Sequence, residues 1–177
     1  APADLHAYDR LDAIPPAGAD LLRRHASGLD RRLWAARMRR GHALLLLGYA
    51  GGRAVHSTWL NLGGAVLQPY RPVLRTPAAV IGPCYTVPEA RGRGIYRRAI
   101  RQALSVLRAA GFRWAYIHAR AQNAASLAGI RKAGAFAHVG RFLLYRPPAR
   151  RFRLVAGRIC RPEYVPEHAL AKETHDC

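Results

Sequence analysis

Apolar residues recur along this chain in two rhythms, one helical and one extended, and glycine and proline mark most of the changes between them. From Asp20 to Arg40 the spacing is helical: Leu21 and Leu22, then Leu29, Leu33, Trp34 and Met38. It predicts two helices broken near Gly28, with Ser27 or Asp30 capping the second. The run Ala43–Ala50 reads as a buried strand, Gly51-Gly52 as a turn, and Arg53–Leu60 as the returning strand of a hairpin. A Gly- and Pro-rich connection leads through Pro77 to a short apolar strand, Ala78–Val87, which Pro88 ends. A helix follows over about 94–110, with Ile95, Ala99, Ala103, Leu104 and Leu107 along one side and Gly111 as its stop. Phe112–Ala119 is expected as a strand, Asn123–Ala133 as a short helix, and Phe136–Tyr145 and Phe152–Ile159 as an antiparallel pair of strands across Pro147-Pro148. Residues 1–16, with Pro2, Pro15 and Pro16 and little periodicity, read as an arm or entry loop. The tail from Pro162 is mostly polar.

This order of elements predicts one mixed α/β (α+β) domain over residues 1–177, with hairpins at both ends. Half of the residues are hydrophobic, enough for a core and too many for a disordered chain. No apolar run approaches the ~20 residues of a membrane-spanning helix, and no charged start leads into an apolar signal stretch. Cys84, Cys160 and Cys177 cannot all pair with one another, and none has the spacing of a zinc site. The reading is therefore a cytoplasmic protein without a structural metal. Charge changes the picture more. There are 29 Lys plus Arg, of which only Lys132 and Lys172 are lysines, against 10 Asp plus Glu, a net charge of +19. Such an excess suits nucleic acid, anionic lipid, an acidic protein or a polyanionic cofactor. A GC-rich genome would explain Arg over Lys, but not the shortage of acids.

The most informative segment is Pro88–Tyr96, between a buried strand and a strong helix. A glycine turn at a helix N-terminus presents unpaired N–H groups and the positive end of the helix dipole, and it lets phosphate approach the backbone. Arg91, Arg93, Arg97 and Arg98 add full charges nearby. Neither the P-loop nor the dinucleotide-binding glycine fingerprint fits.

The segment instead resembles the acyl-CoA motif [Q/R]-x-x-G-x-[G/A] of the GNAT superfamily of N-acyltransferases. Arg91 stands at the first position, Gly94 at the fourth, and Tyr96 at the sixth, where the family usually has Gly or Ala. Asn123-Ala-Ala-Ser126 and Lys132-Ala-Gly134-Ala-Phe136 are similar to the family's later N-x-x-[A/S] and K-x-G-F elements, with Ala135 as an extra residue. The resemblance spans about residues 78–145 and implies a central, mostly antiparallel sheet with helices on both faces, splayed at an acyl-CoA cleft. Residues 1–77 would then form the acceptor-side half, 78–145 the acyl-CoA core, and 146–177 a last strand and tail. It implies that Tyr85, Thr86 and Val87, beside Cys84, pair with the pantetheine arm by their backbone. Arg91, Gly92, Arg93, Gly94, Ile95 and Tyr96 would hold the pyrophosphate, and Asn123 and Ser126 would meet the pantetheine. Lys132, with Arg131, would reach the 3′-phosphate.

The implied reaction is transfer of an acetyl or other acyl group from acyl-CoA to a primary amine of a small molecule, an amino sugar or an amino acid, by direct attack. Such a reaction needs a base for the ammonium and is helped by an acid for the departing thiolate. His56 and His118 are the candidate bases. The family's usual acid, a Tyr seven residues after the motif Asn, is Ile130 here. Tyr145, Tyr96 and Tyr85 are the possible substitutes, and Tyr145 is grouped with the two histidines as a candidate catalytic residue. No metal is expected. Two other readings stand beside this one: an acidic acyl carrier protein docking on the basic helices of Arg23–Arg40, or a non-catalytic module on nucleic acid, for which no recognised motif is present.

Overall fold

A computed structural model describes residues 3–63, 77–137, 140–145 and 153–159. In chain order its elements are β1 (Asp4–Tyr8), α1 (Pro16–His25), α2 (Gly28–Arg39), β2 (Ala43–Ala50), β3 (Arg53–Asn61), β4 (Ala78–Thr86), α3 (Ile95–Ala109), β5 (Trp114–Ile117), α4 (Ala124–Ala133), β6 (Gly140–Tyr145) and β7 (Arg153–Ile159). β1 to β5 form one sheet in sequence order, and β6 and β7 an antiparallel pair. The pairings β1–β2, β2–β3 and β3–β4 are antiparallel, and β4–β5 is parallel. The parallel pair follows from the connection between its strands, since only a crossover such as α3 returns the chain in the same direction.

The entry segment corrects the sequence reading. Asp4–Tyr8 is not a loose arm but an edge strand, in register from Asp4 opposite Tyr49 to Tyr8 opposite Leu45. Its polar, short sequence carries little signal, because an edge strand gains its order from the neighbour's backbone. The break near Gly28 occurs as expected. Ser27 caps α2, its Oγ accepting from the Asp30 backbone N–H at 3.1 Å while Asp30 reaches back to the Ser27 N–H at 3.2 Å. The strand expected over 112–119 contracts to four residues, and that expected from Phe136 begins at Gly140.

The run Ala43–Leu47 is apolar throughout because β2 is covered on both faces. Leu45 and Leu47, with Trp59 of β3, pack against Leu21, Leu22, Trp34 and Met38 of α1 and α2. Leu46, with Leu60, Ala79 and Ile81, packs against Ala103 and Leu107 of α3. Successive residues of one strand thus enter two different cores. No helix among the described residues is long and apolar enough to cross a membrane.

Candidate active site

The site begins where the sheet stops being continuous. β5 accompanies β4 only from Ala78 opposite Trp114 to Ile81 opposite Ile117. β4 runs on to Thr86 along β3, pairing Cys84 with Thr58, Tyr85 with Ser57 and Thr86 with His56. Its last five residues therefore have no strand partner on the β5 side among the described residues. The β3–β4 register slips between Thr58 and Leu60. Asn61, buried there, donates its amide to the carbonyls of Val80, at 3.2 Å, and Gly82. An open half-edge of this kind leaves backbone donors and acceptors for an extended ligand to pair with.

At the end of β4 the Val87 N–H returns to Val55 O at 3.0 Å, and a single 3-10 turn, Pro88–Ala90, leads into the glycines. Gly92 and Gly94 have φ of 75° and 71°, conformations that cost an L side chain energy. Gly94 is the N-cap of α3 and brings no side chain to bond the first-turn N–H groups, so these point outward for an anion. Arg91, Arg93 and Arg97 are exposed around them. Arg91 is steadied by its Nε donating to Thr86 O at 3.1 Å. Arg98 departs from the expected cluster: its Nη2 donates to Ala3 O at 2.7 Å and ties α3 to the entry of β1.

Polar side chains line the gap beyond the turn. His56 is fully buried, with Nδ1 2.7 Å from Thr86 Oγ1 and Nε2 2.7 Å from Thr58 Oγ1. Burial, and secondarily the nearby His25, push its pKa down to about 4, so it is a neutral ring with one nitrogen donating and the other accepting. Both nitrogens are engaged, and the ring has no exposed surface in which to meet a solvent-borne group. It holds Thr86 and Thr58. The Cys84 thiol lies close to Thr58 and Tyr96, and burial pushes its pKa up to about 11, which keeps it protonated near neutral pH. The Tyr96 hydroxyl lies 3.1 Å from Ser126 Oγ, and the Ser126 N–H donates to Asn123 Oδ1 at 3.0 Å, capping α4.

His25 is a participant that no sequence pattern indicated. Its Nδ1 lies 2.6 Å from Leu21 O, so that nitrogen carries the proton. Nε2 then accepts from Ser57 Oγ at 3.2 Å, and the ring stacks on Tyr85 at 4.3 Å. The single hint was its place one turn after Leu21. His118 lies just past β5, exposed overall, yet with enough protein around its ring that desolvation lowers its pKa. Lys132 is exposed in the last turn of α4, six residues beyond Ser126 and so about 9 Å further along the axis. Tyr145 ends β6 opposite Arg153, and its side chain lies outside the described residues. So does most of the Gly- and Pro-rich connection that leads through Pro77 in the acceptor-side half. The described residues contain no cluster able to hold a metal ion.

The buried imidazole gives a testable dependence of stability on pH. In the unfolded chain a histidine titrates near 6.5, so as pH falls the unfolded state takes up its proton first. The stability tied to neutral His56 is complete above about 6.5 and is lost as pH drops toward about 4. The loss is about 3 kcal/mol for the full interval, and His25, also lowered by desolvation, acts in the same direction. Denaturant titrations at pH 7 and 4.5 should show a steeper fall for the native protein than for His56→Gln. Parallel falls would mean that His56 does not carry the effect.

Residues 10–135, well over half of the chain, match the family model described as Acetyltransferase (GNAT) family. No curated protein matches the chain. Among solved structures, an aminoglycoside N-acetyltransferase in complex with CoA is 17% identical with a TM-score of 0.59, covering 82% of this chain and 100% of its own. The aminoglycoside 6'-N-acetyltransferase of Acinetobacter haemolyticus is 16% identical with a TM-score of 0.61, covering 81% and 97%. A ribosomal-protein-alanine N-acetyltransferase of Brucella melitensis is 19% identical with a TM-score of 0.56, covering 82% and 99%. At these identities the likeness establishes the fold, which hosts more than one kind of acceptor.

Proposed function

This chain belongs to the acetyltransferase (GNAT) family, and on that premise we propose that it transfers an acetyl group from acetyl-CoA to a primary amine of a small molecule by direct attack. The observation that carries the reading is the half-open edge of β4 above an arginine-flanked helix N-terminus. The pantetheine would pair with the backbone of Cys84–Val87, and the pyrophosphate would sit on the turn Arg91–Tyr96. Asn123 and Ser126 would border the pantetheine, and Lys132 would meet the remaining phosphate. The fit rests on features of the described residues: a β4 edge without a strand partner toward β5, positive-φ glycines, and an α3 N-terminus without a side-chain cap. His118 is our candidate to accept the proton of the attacking ammonium. Its lowered pKa keeps it unprotonated at neutral pH, and it lies at the end of the strand bordering the gap. His56, sealed between two threonines, would position Thr86.

For the acceptor we favour an amino sugar or an amino acid. The aminoglycoside acetyltransferases among the structural neighbours support an amino sugar. Charge narrows the choice. A chain of net charge +19 repels a polycation at long range and attracts an amine that carries its own anionic group. We therefore expect kcat/KM for a polyamine aminoglycoside to rise with salt and that for a phosphorylated amino sugar to fall, as charges more than about 8 Å apart become screened. Calorimetry should first detect CoA binding in the micromolar range, and an acceptor panel read by thiol release then ranks the amines. A pure protein that binds no CoA would end this reading. Turnover confined to long-chain acyl groups on a carrier protein would replace the donor.

A further inference from the structure

The sixth motif position holds Tyr96 where the resembled family has Gly or Ala, and the structure makes a place for it. A Cβ added at Gly129 of α4 would stand 2.5 Å from Tyr96 Cδ1 and 2.8 Å from Cε1. Glycine at 129 is thus what lets the ring lie against α4. The two residues are far apart in sequence and form one fitted pair, the ring from the first turn of α3 and the recess from α4. The ring places its hydroxyl 3.1 Å from Ser126 Oγ on one side, with the Cys84 thiol near enough on the other to act on the phenol's ionisation. Cys84 belongs to the half of β4 that lacks a strand partner toward β5. The phenol therefore stands between α4 and the open edge, in the gap itself, and is only partly buried.

We propose that Tyr96 is the proton donor to the sulfur of the departing CoA, delivered from α3 because α4 offers only Ile130 at the corresponding place. The inference rests on the acyl-CoA reading above. As the amine nitrogen bonds to the carbonyl carbon, the carbon–sulfur bond breaks and its electron pair stays on sulfur. The phenolic proton of Tyr96 moves to that sulfur and a free thiol leaves. The resulting phenolate regains a proton through Ser126 or water, balancing the one shed by the amine. The local chemistry suits the task. A phenol oxygen that accepts from the Ser126 hydroxyl keeps its own hydrogen for the β4 side. Desolvation above all, with Cys84 nearby, pushes the Tyr96 pKa up to about 12, so the donor stays protonated throughout the working range.

The test compares native protein with Tyr96→Phe, Gly129→Ala and the double variant in three measurements that need no natural acceptor. CoA affinity by calorimetry should change less than about threefold in Tyr96→Phe, because Tyr96 contributes to the turn only its backbone N–H, which phenylalanine keeps. The thiol of bound CoA, titrated by its thiolate absorbance, should ionise about one pH unit higher once the donor to sulfur is gone. Single-turnover cleavage of bound acetyl-CoA by hydroxylamine should slow about a hundredfold. Gly129→Ala, which pushes the ring aside, should slow cleavage as well, and adding it to Tyr96→Phe should cost nothing more. A ring that serves packing alone would leave the bound thiol's ionisation unchanged and give additive losses, and that result would overturn the proposal. Should Tyr96→Phe not fold, the thiol titration and cleavage rate of Gly129→Ala decide. If native protein binds no CoA, the acyl-CoA reading itself has failed. If it binds CoA and Tyr96→Phe matches it in all three measurements, only the donor assignment falls.

Discussion

A Gly94→Glu protein is expected to lose CoA affinity at least a hundredfold while remaining folded. Two effects combine at this residue. Its φ of 71° lies in the left-handed region, where an L side chain costs about 1–2 kcal/mol, so glutamate pulls the turn toward another geometry and misaims the first-turn N–H groups of α3. Its carboxylate would also stand where the pyrophosphate is expected, with Arg97 Nη2 only 3.7 Å from the new Cβ and free to pair with it. One misdirected cation and one added anion account together for a hundredfold, about 2.7 kcal/mol. Gly94→Gln separates the two effects, since glutamine carries the same left-handed strain as glutamate and brings no charge. It should lose about tenfold or less. Calorimetric titration with CoA measures both, and near-native affinity in Gly94→Glu would remove this turn from the binding site.

The largest effect on stability is expected at Trp59→Ala, a loss of about 3–5 kcal/mol in urea denaturation. Trp59 is 1% exposed, on the face of β3 that meets α1 and α2, and it stacks on Trp34 at 4.5 Å. Truncation would leave a void between sheet and helices and take away the surface on which α2 rests. Against a total stability typically of about 5–15 kcal/mol, that brings the protein close to unfolding. Trp59→Phe should cost far less than its lost area suggests. Trp59 Nε1 is buried with no hydrogen-bond partner among the described residues, and removing an unsatisfied donor recovers part of the desolvation penalty. Equal losses for Phe and Ala would show that the indole N–H is satisfied after all.

The element order was largely readable because it rests on local rules. The Ser27–Asp30 cap and the Gly51-Gly52 turn are consequences of residues a few positions apart. The glycine turn before α3 was readable for the same reason, its glycines and arginines being contiguous. Errors gathered where order is borrowed. β1 exists because β2 offers it a backbone, and β5 is short because β4 leaves it after Ile81. Arg98, counted with the phosphate cluster on spacing alone, is drawn to Ala3 by the fold.

The candidate site divides along the same line. Sequence marked His56, Tyr96, Asn123 and Ser126, but not what each does. Asn123 and Ser126 lie three residues apart, and their cap follows from the spacing. His56 meets Thr86 across thirty residues, and Tyr96 meets Ser126 across thirty. Those contacts depend on strand register and on how α4 settles against α3. By itself, then, the sequence determined the rhythm of helices and strands, the core stripes and a cationic glycine turn, because each needs only neighbours along the chain. Tertiary structure alone decided that β5 leaves β4 after Ile81, that His56 is sealed while His118 reaches solvent, and that Gly129 makes room for the Tyr96 ring. Packing set these, since it is packing that fixes which distant side chains share a space too small for water or for one more carbon.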